Sequence, residues 1–273
     1  MAPETMISRD CLSIELIRRT LSAEIVGRRI CLLWDVASTN DVLRRMAEAG
    51  APAGTVVLAE SQRAGRAGDG LGWFSPVGVN IYASVLLRPA IRPEAMPAFS
   101  FIASLAASDA IRLEGLPAMI KWPNDVLVER KKVAGTLVQS VVGTQGVALV
   151  IFGIGVNVNV DRDALRAGLG AAAADATSLR ELTGREVDRN AFAGTLLSCL
   201  DRWFRVYLRD GLEPVLAGWR QRDALAGPRV RVREGREERE GRVTGLTREG
   251  FLVVEDAAGL THRIVDGRIA LLD

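Results

Sequence analysis

Histidine is almost absent from this sequence of 273 residues, and its single copy, His262, lies close to the C-terminus. A Ser-His-Asp or Cys-His mechanism in the larger N-terminal part of the chain is therefore disfavoured. Metal sites built from several histidines are excluded as well. Any chemistry in this protein must then depend on lysine, arginine, aspartate, asparagine and backbone groups.

Cysteine and long apolar runs are also scarce. The three cysteines, Cys11, Cys31 and Cys199, are widely spaced and odd in number. This indicates a reducing compartment and argues against a disulfide framework or a zinc site. No apolar run has the length that crosses a bilayer, and residues 1–9 lack the pattern of a secretory signal. We therefore expect a cytoplasmic protein with no membrane partner. The net charge of +2 is too small to indicate nucleic-acid binding.

The composition, with 48% hydrophobic and 25% charged residues, is typical of a globular protein with one large domain and a small module. The pattern changes at Ala226-Gly227-Pro228, so we predict domains over residues 1–226 and 227–273. Short apolar segments separated by glycine or charged turns follow this point, which predicts a small five-stranded barrel. Its nine arginines balance nine acidic residues, and this favours an ordinary solvated surface. The predicted strands are Arg229–Arg233, Glu240–Leu246, Phe251–Glu255, Thr261–Val265 and Ile269–Leu272.

The larger domain mixes helical and strand patterns. Asp188–Asp210 has an apolar stripe at helical spacing and is predicted to be a core helix. Pro97–Leu113 is predicted to be a helix with Ile102, Leu105, Ala106 and Leu113 turned inward. Pro76–Leu87 is predicted to be a strand. Arg162–Ala174 is predicted to be a helix.

The most informative stretch covers residues 120–139 and has the sequence I-K-W-P-N-D-V-L-V-E-R-K-K-V-A-G-T-L-V-Q. Two apolar runs, Val126–Val128 and Val133–Val138, flank the charged turn Glu129–Lys132, which predicts a β-hairpin. Lys121 and Asp125 lie among apolar neighbours, and charges in such a place need partners. A structural hairpin with a solvated tip is the alternative interpretation.

Three other segments have patterns typical of ligand sites. Ser38-Thr39-Asn40 precedes a helical pattern that ends at Gly50, so free N–H groups and hydroxyls would meet there, unless the segment is an ordinary N-cap. Residues 61–73 have the sequence S-Q-R-A-G-R-A-G-D-G-L-G-W, a glycine-rich loop that either folds over a phosphate or is a flexible surface loop. Residues 153–159, G-I-G-V-N-V-N, end a strand with glycines that indicate either a ligand or tight sheet packing.

The string K-W-P-N-D-V-(x)5-K-K-V-A-G resembles the active-site segment of biotin–protein ligases, which attach biotin to a lysine of a carrier domain. The S-T-N, glycine-loop and G-I-G-x-N-x-N segments resemble the same family. The resemblance is strong over residues 30–159 and loose over the C-terminal barrel. It implies an α+β fold, with a class II synthetase-like catalytic domain in which helices flank a mixed sheet, followed by an SH3-like domain. Only 28 residues precede Arg29, fewer than the roughly 50 of an independent domain, so we expect the form without an N-terminal DNA-binding domain and no nucleic-acid partner.

The resemblance implies an ATP-dependent reaction in which biotin becomes biotinyl-5′-AMP and is then transferred to a carrier lysine. ATP and biotin would be substrates, Mg²⁺ would assist, and the partner would be the biotin carboxyl carrier protein of acetyl-CoA carboxylase or a similar carboxylase. Both steps build negative charge on oxygen, so positioning and charge stabilisation suffice without a protein nucleophile. Two alternatives are a lipoate or octanoate ligase of the same fold and a non-catalytic binder of biotin or carrier. The identity of the carrier and the formation of a homodimer stay open.

The resemblance also implies roles for individual residues. Lys132, with Arg66 and Asp125, would be catalytic, and Asp125 is the candidate for Mg²⁺. Biotin would contact Ser38, Thr39, Asn40, Gln62, Gly65, Arg66, Ala67, Gly68, Lys132 and Gly135. The adenylate would contact Arg66, Trp73, Lys121, Asn124, Asp125, Lys132 and Asn157. Trp73 has a core role as its alternative. Gly68 and Leu71 stand where the family usually has arginines, and their effect on retention of the adenylate stays open.

Overall fold

Seven strands of the larger domain join in one mixed sheet in the computed structural model, which describes residues 11–68, 72–89, 91–143, 146–227 and 229–272. The strands are β1 (Arg29–Val36), β2 (Thr55–Gln62), β3 (Ile81–Leu87), β4 (Met119–Lys121), β5 (Asp125–Val128), β6 (Lys131–Gly143) and β7 (Gly146–Val156). Their order across the sheet is β1-β2-β3-β7-β6-β5-β4. The β1–β2 pair is parallel and the other neighbouring pairs are antiparallel. The predicted mixed sheet is confirmed.

Helices cover both faces of this sheet. They are α1 (Ile14–Thr20), α2 (Thr39–Glu48), α3 (Met96–Leu113), α4 (Arg162–Leu169), α5 (Leu179–Thr183), α6 (Arg189–Asp210) and α7 (Glu213–Arg220). Because side chains alternate along a strand, Val57 of β2 packs with Leu43 of α2, whereas Val56 and Leu58 join the core under α3 and α6. The predicted core helix over residues 188–210 is confirmed. Asp188 caps it by accepting hydrogen bonds from the amides of the first turn.

One prediction about burial and two about the ends of elements are wrong, whereas the predicted end of the helix at Leu113 is confirmed. Leu113 is 70% exposed because it is the last residue of α3, beyond the buried stripe of that helix. The strand predicted from Pro76 begins only at Ile81, since residues 76–80 contain a turn in which Gly78 has a φ of +76°. The helix predicted to reach residue 174 ends as α4 at Leu169, and a 3₁₀ segment continues to Asp175.

The hairpin formed by β5 and β6 is confirmed, but its turn is tighter than predicted. Only Glu129 and Arg130 connect the strands, and both have positive φ, 50° and 65°. A two-residue turn of this kind matches the right-handed twist of the flanking strands. Lys131 and Lys132 are therefore residues of β6, and the side chain of Lys132 is fixed to the sheet.

The C-terminal strands form a separate antiparallel sheet with the order β11-β10-β9-β8-β12, so the predicted five-stranded module is confirmed. They are β8 (Arg229–Glu234), β9 (Glu237–Leu246), β10 (Leu252–Glu255), β11 (Thr261–Ile264) and β12 (Arg268–Leu271). The module contacts the larger domain directly, because the amide of Ala98 donates to the Glu249 carbonyl over 2.9 Å. Buried side chains of both parts belong to one continuous core. A boundary between independent domains at residue 226 stays a prediction.

Within the residues described above, the helices are too short or too polar to cross a membrane.

Candidate active site

A pocket of about 450 Å³ lies where the start of α2, the end of β2 and the strands β6 and β7 meet. It brings together residues that are more than one hundred positions apart in sequence. The predicted site residues that line it are Ser38, Thr39, Asn40, Gln62, Arg66, Ala67, Gly68, Trp73, Asn124, Asp125, Lys132 and Gly135. Three other predicted residues, Gly65, Lys121 and Asn157, lie beside the pocket and do not line it.

One end of the pocket is buried and polar. Ser38, Thr39 and Asn40 are each only 4% exposed. The Gln62 Oε1 atom accepts hydrogen bonds from the amide and the hydroxyl of Thr39, over 2.9 and 3.1 Å. The Ser84 hydroxyl lies 2.8 Å from Thr39 Oγ1 and 2.5 Å from Asn40 Oδ1. These contacts fix the side chains of Thr39 and Asn40 before any ligand enters.

Ser38 occupies the N-cap position of α2, yet its side chain makes no capping hydrogen bond. Ordinary N-capping therefore does not explain the serine, and its hydroxyl is available at the pocket wall. Ser84 was not predicted to belong to the site, because a single serine within an apolar strand has no distinguishing pattern. The only signal is a hydroxyl at a fully buried strand position, where a polar group needs a partner.

Glycines in β6 and β7 leave room for the site side chains. A Cβ atom at Gly153 would lie 2.5 Å from Asn40 Oδ1, and one at Gly155 would lie 2.5 Å from the Trp73 indole. A Cβ atom at Gly135 would lie 2.9 Å from the same indole and 3.1 Å from Lys132 Cε. Gly153 and Gly155 were not assigned to the site, although the G-I-G spacing places both on one face of the strand.

Trp73 forms an apolar wall of the pocket and belongs to none of the three hydrophobic clusters of the described residues. Its core alternative is therefore not supported. The Lys132 ammonium lies 5.4 Å from the centre of the ring, within the range of a cation–π contact. The Trp73 amide donates to the Gly65 carbonyl over 2.9 Å, and a Cβ atom at Gly65 would lie 2.8 Å from the Trp73 carbonyl. Gly65 thus supports the wall by allowing this close approach.

The other end of the pocket is charged. The Lys132 ammonium lies 2.5 Å from Asp125 Oδ1, and the two side chains are 30% and 26% exposed. Lys121, the residue at the start of this hairpin stretch, makes no ion pair with any described residue. Burial lowers the pKa of Lys121, an effect that the nearby Asp125 carboxylate opposes. Two lysines and one carboxylate leave an excess of positive charge, which suits an anionic ligand.

Arg66 was predicted to hold phosphates and biotin, but its guanidinium pairs with Asp41 in the first turn of α2. Arg66 also contributes to the lining of the pocket. Asp41 was not predicted to belong to the site, although it directly follows the S-T-N segment. The described ends of the glycine-rich loop pair with each other, because Arg66 and Gly72 form an antiparallel bridge. Gly70 and Leu71 lie outside the described residues.

Two larger clefts, of about 1730 and 1740 Å³, meet at Lys121, Asp125 and Lys132. The first is closed on its far side by the C-terminal module, through residues that include Arg233, Asp266 and Arg268. The second is lined by Trp73 and Asn157 and by the 3₁₀ segment up to residue 176.

Asn157, which was predicted to contact the adenylate, lies in the wall of the second cleft. Its Nδ2 atom donates to the Thr177 carbonyl over 3.0 Å and its amide donates to Val133 over 2.8 Å. The residue is 5% exposed. Asn157 therefore fixes the wall of the cleft, and its side-chain amide is already engaged.

The described residues contain no cluster of three or more histidine, cysteine, aspartate or glutamate side chains that could hold a metal. Asp125, the predicted Mg²⁺ ligand, is a single carboxylate paired with Lys132. One carboxylate fits the usual mode in which Mg²⁺ is held mainly by substrate phosphates and water. Mg²⁺ binding through Asp125 stays a prediction.

Comparison with known proteins points to one group. Residues 35–157 match the Biotin/lipoate A/B protein ligase family, and residues 226–272 match the Biotin protein ligase C terminal domain. The Bifunctional ligase/repressor BirA of Bacillus spizizenii is 32% identical over 250 residues, which cover 91% of this chain and 76% of that protein. The Biotin–[acetyl-CoA-carboxylase] ligase of Paracoccus denitrificans is 37% identical over 209 residues, or 74% of this chain and 85% of that protein. The solved biotin protein ligase from Aquifex aeolicus in complex with biotin and ATP has a TM-score of 0.73 and 25% identity, and the match covers 89% and 98% of the two chains.

Proposed function

The chain belongs to the biotin–protein ligases, and from that premise we propose which of its residues activate biotin and which receive the nucleotide. The enzyme converts biotin and ATP into biotinyl-5′-AMP and pyrophosphate, and it then transfers biotin to a carrier lysine. The observation that carries the residue assignment is the position of Lys132 and Asp125. This pair lies where the polar pocket meets both larger clefts.

The buried polar end of the pocket receives the ureido ring of biotin. That ring has one carbonyl acceptor and two N–H donors. The Ser38 hydroxyl is a donor for the carbonyl, and the oxygens of Thr39 and Asn40 are acceptors for the N–H groups. A lipoate ring has no comparable groups and would leave the Ser38 hydroxyl, which makes no capping hydrogen bond, without a ligand partner, a loss of about 1–3 kcal/mol for a buried polar group. The polar lining therefore favours biotin over the lipoate or octanoate alternative.

Lys132 is the cation that joins the two substrates. A biotin carboxylate oxygen attacks the α-phosphorus of ATP, a P–O bond forms, and the bond to the departing pyrophosphate breaks. Negative charge builds on the α-phosphate oxygens, and a preorganised ammonium stabilises it. Asp125 holds the ammonium at this point through the 2.5 Å ion pair. Arg66 is the second cation, and its exposed pair with Asp41 has to be exchanged for a phosphate oxygen.

The nucleotide occupies the clefts beyond Lys132. Lys121 and Asn124 contact its phosphates, Trp73 offers an apolar surface to the base or to biotin, and Asn157 holds the wall of the second cleft. Backbone groups of Gly65, Ala67 and Gly68 close the pocket above biotin. Mg²⁺ accompanies the ATP phosphates and would supply further charge neutralisation there, with Asp125 as its carboxylate ligand.

In the second step a carrier lysine amine attacks the acyl carbon, the C–N bond forms, and AMP leaves with the electrons of the C–O bond. The names of the relatives indicate an acetyl-CoA carboxylase as the acceptor. We propose its biotin carboxyl carrier protein as the partner and the cytoplasm as the location. The formation of a homodimer stays a prediction.

Biotin-dependent exchange of labelled pyrophosphate into ATP tests this function. We expect exchange with biotin and Mg²⁺ and none with lipoate or octanoate at the same concentration. Exchange with lipoate alone would favour the lipoate alternative. Binding of biotin without exchange would favour the non-catalytic binder.

A further inference from the structure

The strand that carries Lys121 is short and lies at the edge of the sheet. β4 has only three residues and pairs with β5 on one side. Three residues offer few strand-to-strand hydrogen bonds, so the position of β4 depends on contacts from its other side. The other edge of β4 pairs with the linker to the C-terminal module, the segment between Arg220 at the end of α7 and Arg229 at the start of β8. The Ile120 amide donates to the Arg222 carbonyl over 2.6 Å, and the Ala224 amide donates to the Ile120 carbonyl over 2.9 Å. The linker therefore completes the sheet beside Lys121.

The linker in turn is fixed by one arginine. The Arg222 Nη2 and Nε atoms donate to Asp109 Oδ1 over 2.7 and 3.1 Å, and Nη1 donates to the Gly218 carbonyl over 2.8 Å. The guanidinium also lies over the Trp203 ring, 5.8 Å from its centre. Arg222 thus joins the linker to α3, α6 and α7 at a single point.

Asp109 is the anion on which this arrangement depends. It lies in the second half of α3 and is 8% exposed. Its Oδ2 atom accepts from Trp203 Nε1 over 2.8 Å and from Arg202 Nη2 over 2.5 Å. Both oxygens of the carboxylate are therefore used, by three different side chains. A buried carboxylate with this many donors holds its partners in place.

The same part of α3 also contacts the chain just before β4. The carbonyl of Ala118 accepts from Ser108 Oγ over 3.3 Å and from Arg112 Nη1 over 3.1 Å. Immediately after Lys121, Trp122 Nε1 donates to the Gly250 carbonyl of the C-terminal module over 3.0 Å. β4 is consequently held by α3, by the linker and by the module, and Asp109 controls the linker.

From these contacts we propose that Asp109 is a positioning residue for the nucleotide end of the site, acting through Arg222 and the linker on Lys121. The inference rests on the proposed contact of Lys121 with the nucleotide. Asp109 touches no substrate. It fixes the position of Lys121, which contacts the nucleotide, and it couples that position to the docking of the C-terminal module. Binding of biotin, which uses the opposite end of the pocket, does not depend on it.

Asp109→Asn tests the proposal, because the amide keeps the volume but loses the charge that holds Arg222. We expect the KM for ATP to rise about tenfold, a change that corresponds to roughly 1.4 kcal/mol. The dissociation constant for biotin should stay within twofold. Arg222→Lys should also raise the KM for ATP and leave the dissociation constant for biotin unchanged, because an ammonium cannot replace the several directed N–H donors of the guanidinium. The rise in KM should be smaller than in Asp109→Asn. It also provides the test if Asp109→Asn does not fold.

Asp201→Asn is the matched control. Asp201 is a fully buried carboxylate with four donors, the amides of residues 24–26 and Arg205 Nε, but it lies away from β4. A general loss of stability would affect both variants alike, whereas lost positioning raises the KM for ATP only in Asp109→Asn. Equal changes in ATP and biotin affinity, or the same ATP-specific change in Asp201→Asn, would overturn the inference. An inactive wild type in the exchange assay would instead overturn the proposed function on which it rests.

Discussion

The two ends of the pocket are built in opposite ways. At the buried polar end, which would receive the ureido ring and is called the ring end below, Ser38, Thr39 and Asn40 are each 4% exposed. Neutral hydrogen bonds fix Thr39 and Asn40. At the charged end, the side chains of Lys132 and Arg66 are 30% and 43% exposed, and each is paired with a carboxylate. The ring end is therefore complete without ligand. The charged end has to exchange partners when phosphates arrive.

This difference follows from the ligand groups that each end would receive. A ureido ring is neutral and rigid, so donors and acceptors can be set in advance at low cost. Phosphates carry full charges, and unpaired cations waiting for them would repel one another. Exposed ion pairs such as Arg66–Asp41 contribute only about 0–1 kcal/mol, so a phosphate can replace the carboxylate easily. We therefore propose that the ring end determines which substrate binds and that the charged end determines how fast it reacts.

Replacing Lys132 with alanine should produce the largest effect, because it removes charge stabilisation from the reacting end alone. Loss of one such donor typically lowers a rate by about 10²–10³. We expect that loss in biotin-dependent pyrophosphate exchange, with a much smaller change in biotin affinity measured by calorimetry. Lys131→Ala is the matched control, since it removes an exposed lysine from the adjacent position of β6. A wild-type exchange rate in Lys132→Ala would show that this lysine has no role in the mechanism. It would also contradict the proposal that the two ends of the pocket have different roles.

Gly153→Ala should weaken biotin binding and leave the exchange rate close to wild type, which is the reverse of Lys132→Ala. The effect should also be smaller than that of Lys132→Ala. Its Cβ atom would lie 2.5 Å from Asn40 Oδ1, and forcing an extra carbon into a packed site costs about 1–3 kcal/mol. We expect biotin to bind roughly ten- to hundredfold more weakly. At saturating biotin the exchange rate and the KM for ATP should stay close to wild type. A variant that loses ATP affinity as strongly as biotin affinity would show that the two ends are not separable.

The hairpin over β5 and β6 and the start of α2 followed from the sequence, because apolar periodicity and turn residues act over short distances. The residues of those segments also line the pocket. The end of α3 at Leu113 also followed, but the exposure of Leu113 and the start of β3 did not, since Leu113 and Pro76 fit the local pattern and only the tertiary structure leaves them outside the core and the strand. Local pattern determines that an element exists better than where it stops.

The contacts that join distant segments were missed for a related reason. Asp41 and Arg66 are separated by the whole of β2, and Ser84 of β3 contacts Asn40 of α2. Nothing in either local segment specifies its partner. The same holds for Asp109 and Arg222, which are 113 positions apart. The motif indicated Lys132 as a candidate site residue, whereas the network that positions the residues around it required the fold.

The smallest expected effect concerns Gly68, which stands where the family usually has an arginine. An arginine there could tie the loop over the pocket to acidic groups or to the ligand, and glycine adds entropy that closure must overcome. An exposed pair of this kind contributes up to about 1 kcal/mol, or roughly fivefold in a rate. We therefore expect wild type to release biotinyl-5′-AMP up to about fivefold faster than Gly68→Arg, measured as biotinylation of a bystander protein at matched adenylation rates. A Cβ atom at this position would lie 2.6 Å from Asn124 Nδ2, so Gly68→Ala is needed to separate this contact from the charge. If alanine and arginine reduce bystander labelling equally, displacement of Asn124 is the cause, and if neither reduces it, the charged end retains the adenylate without help from the loop.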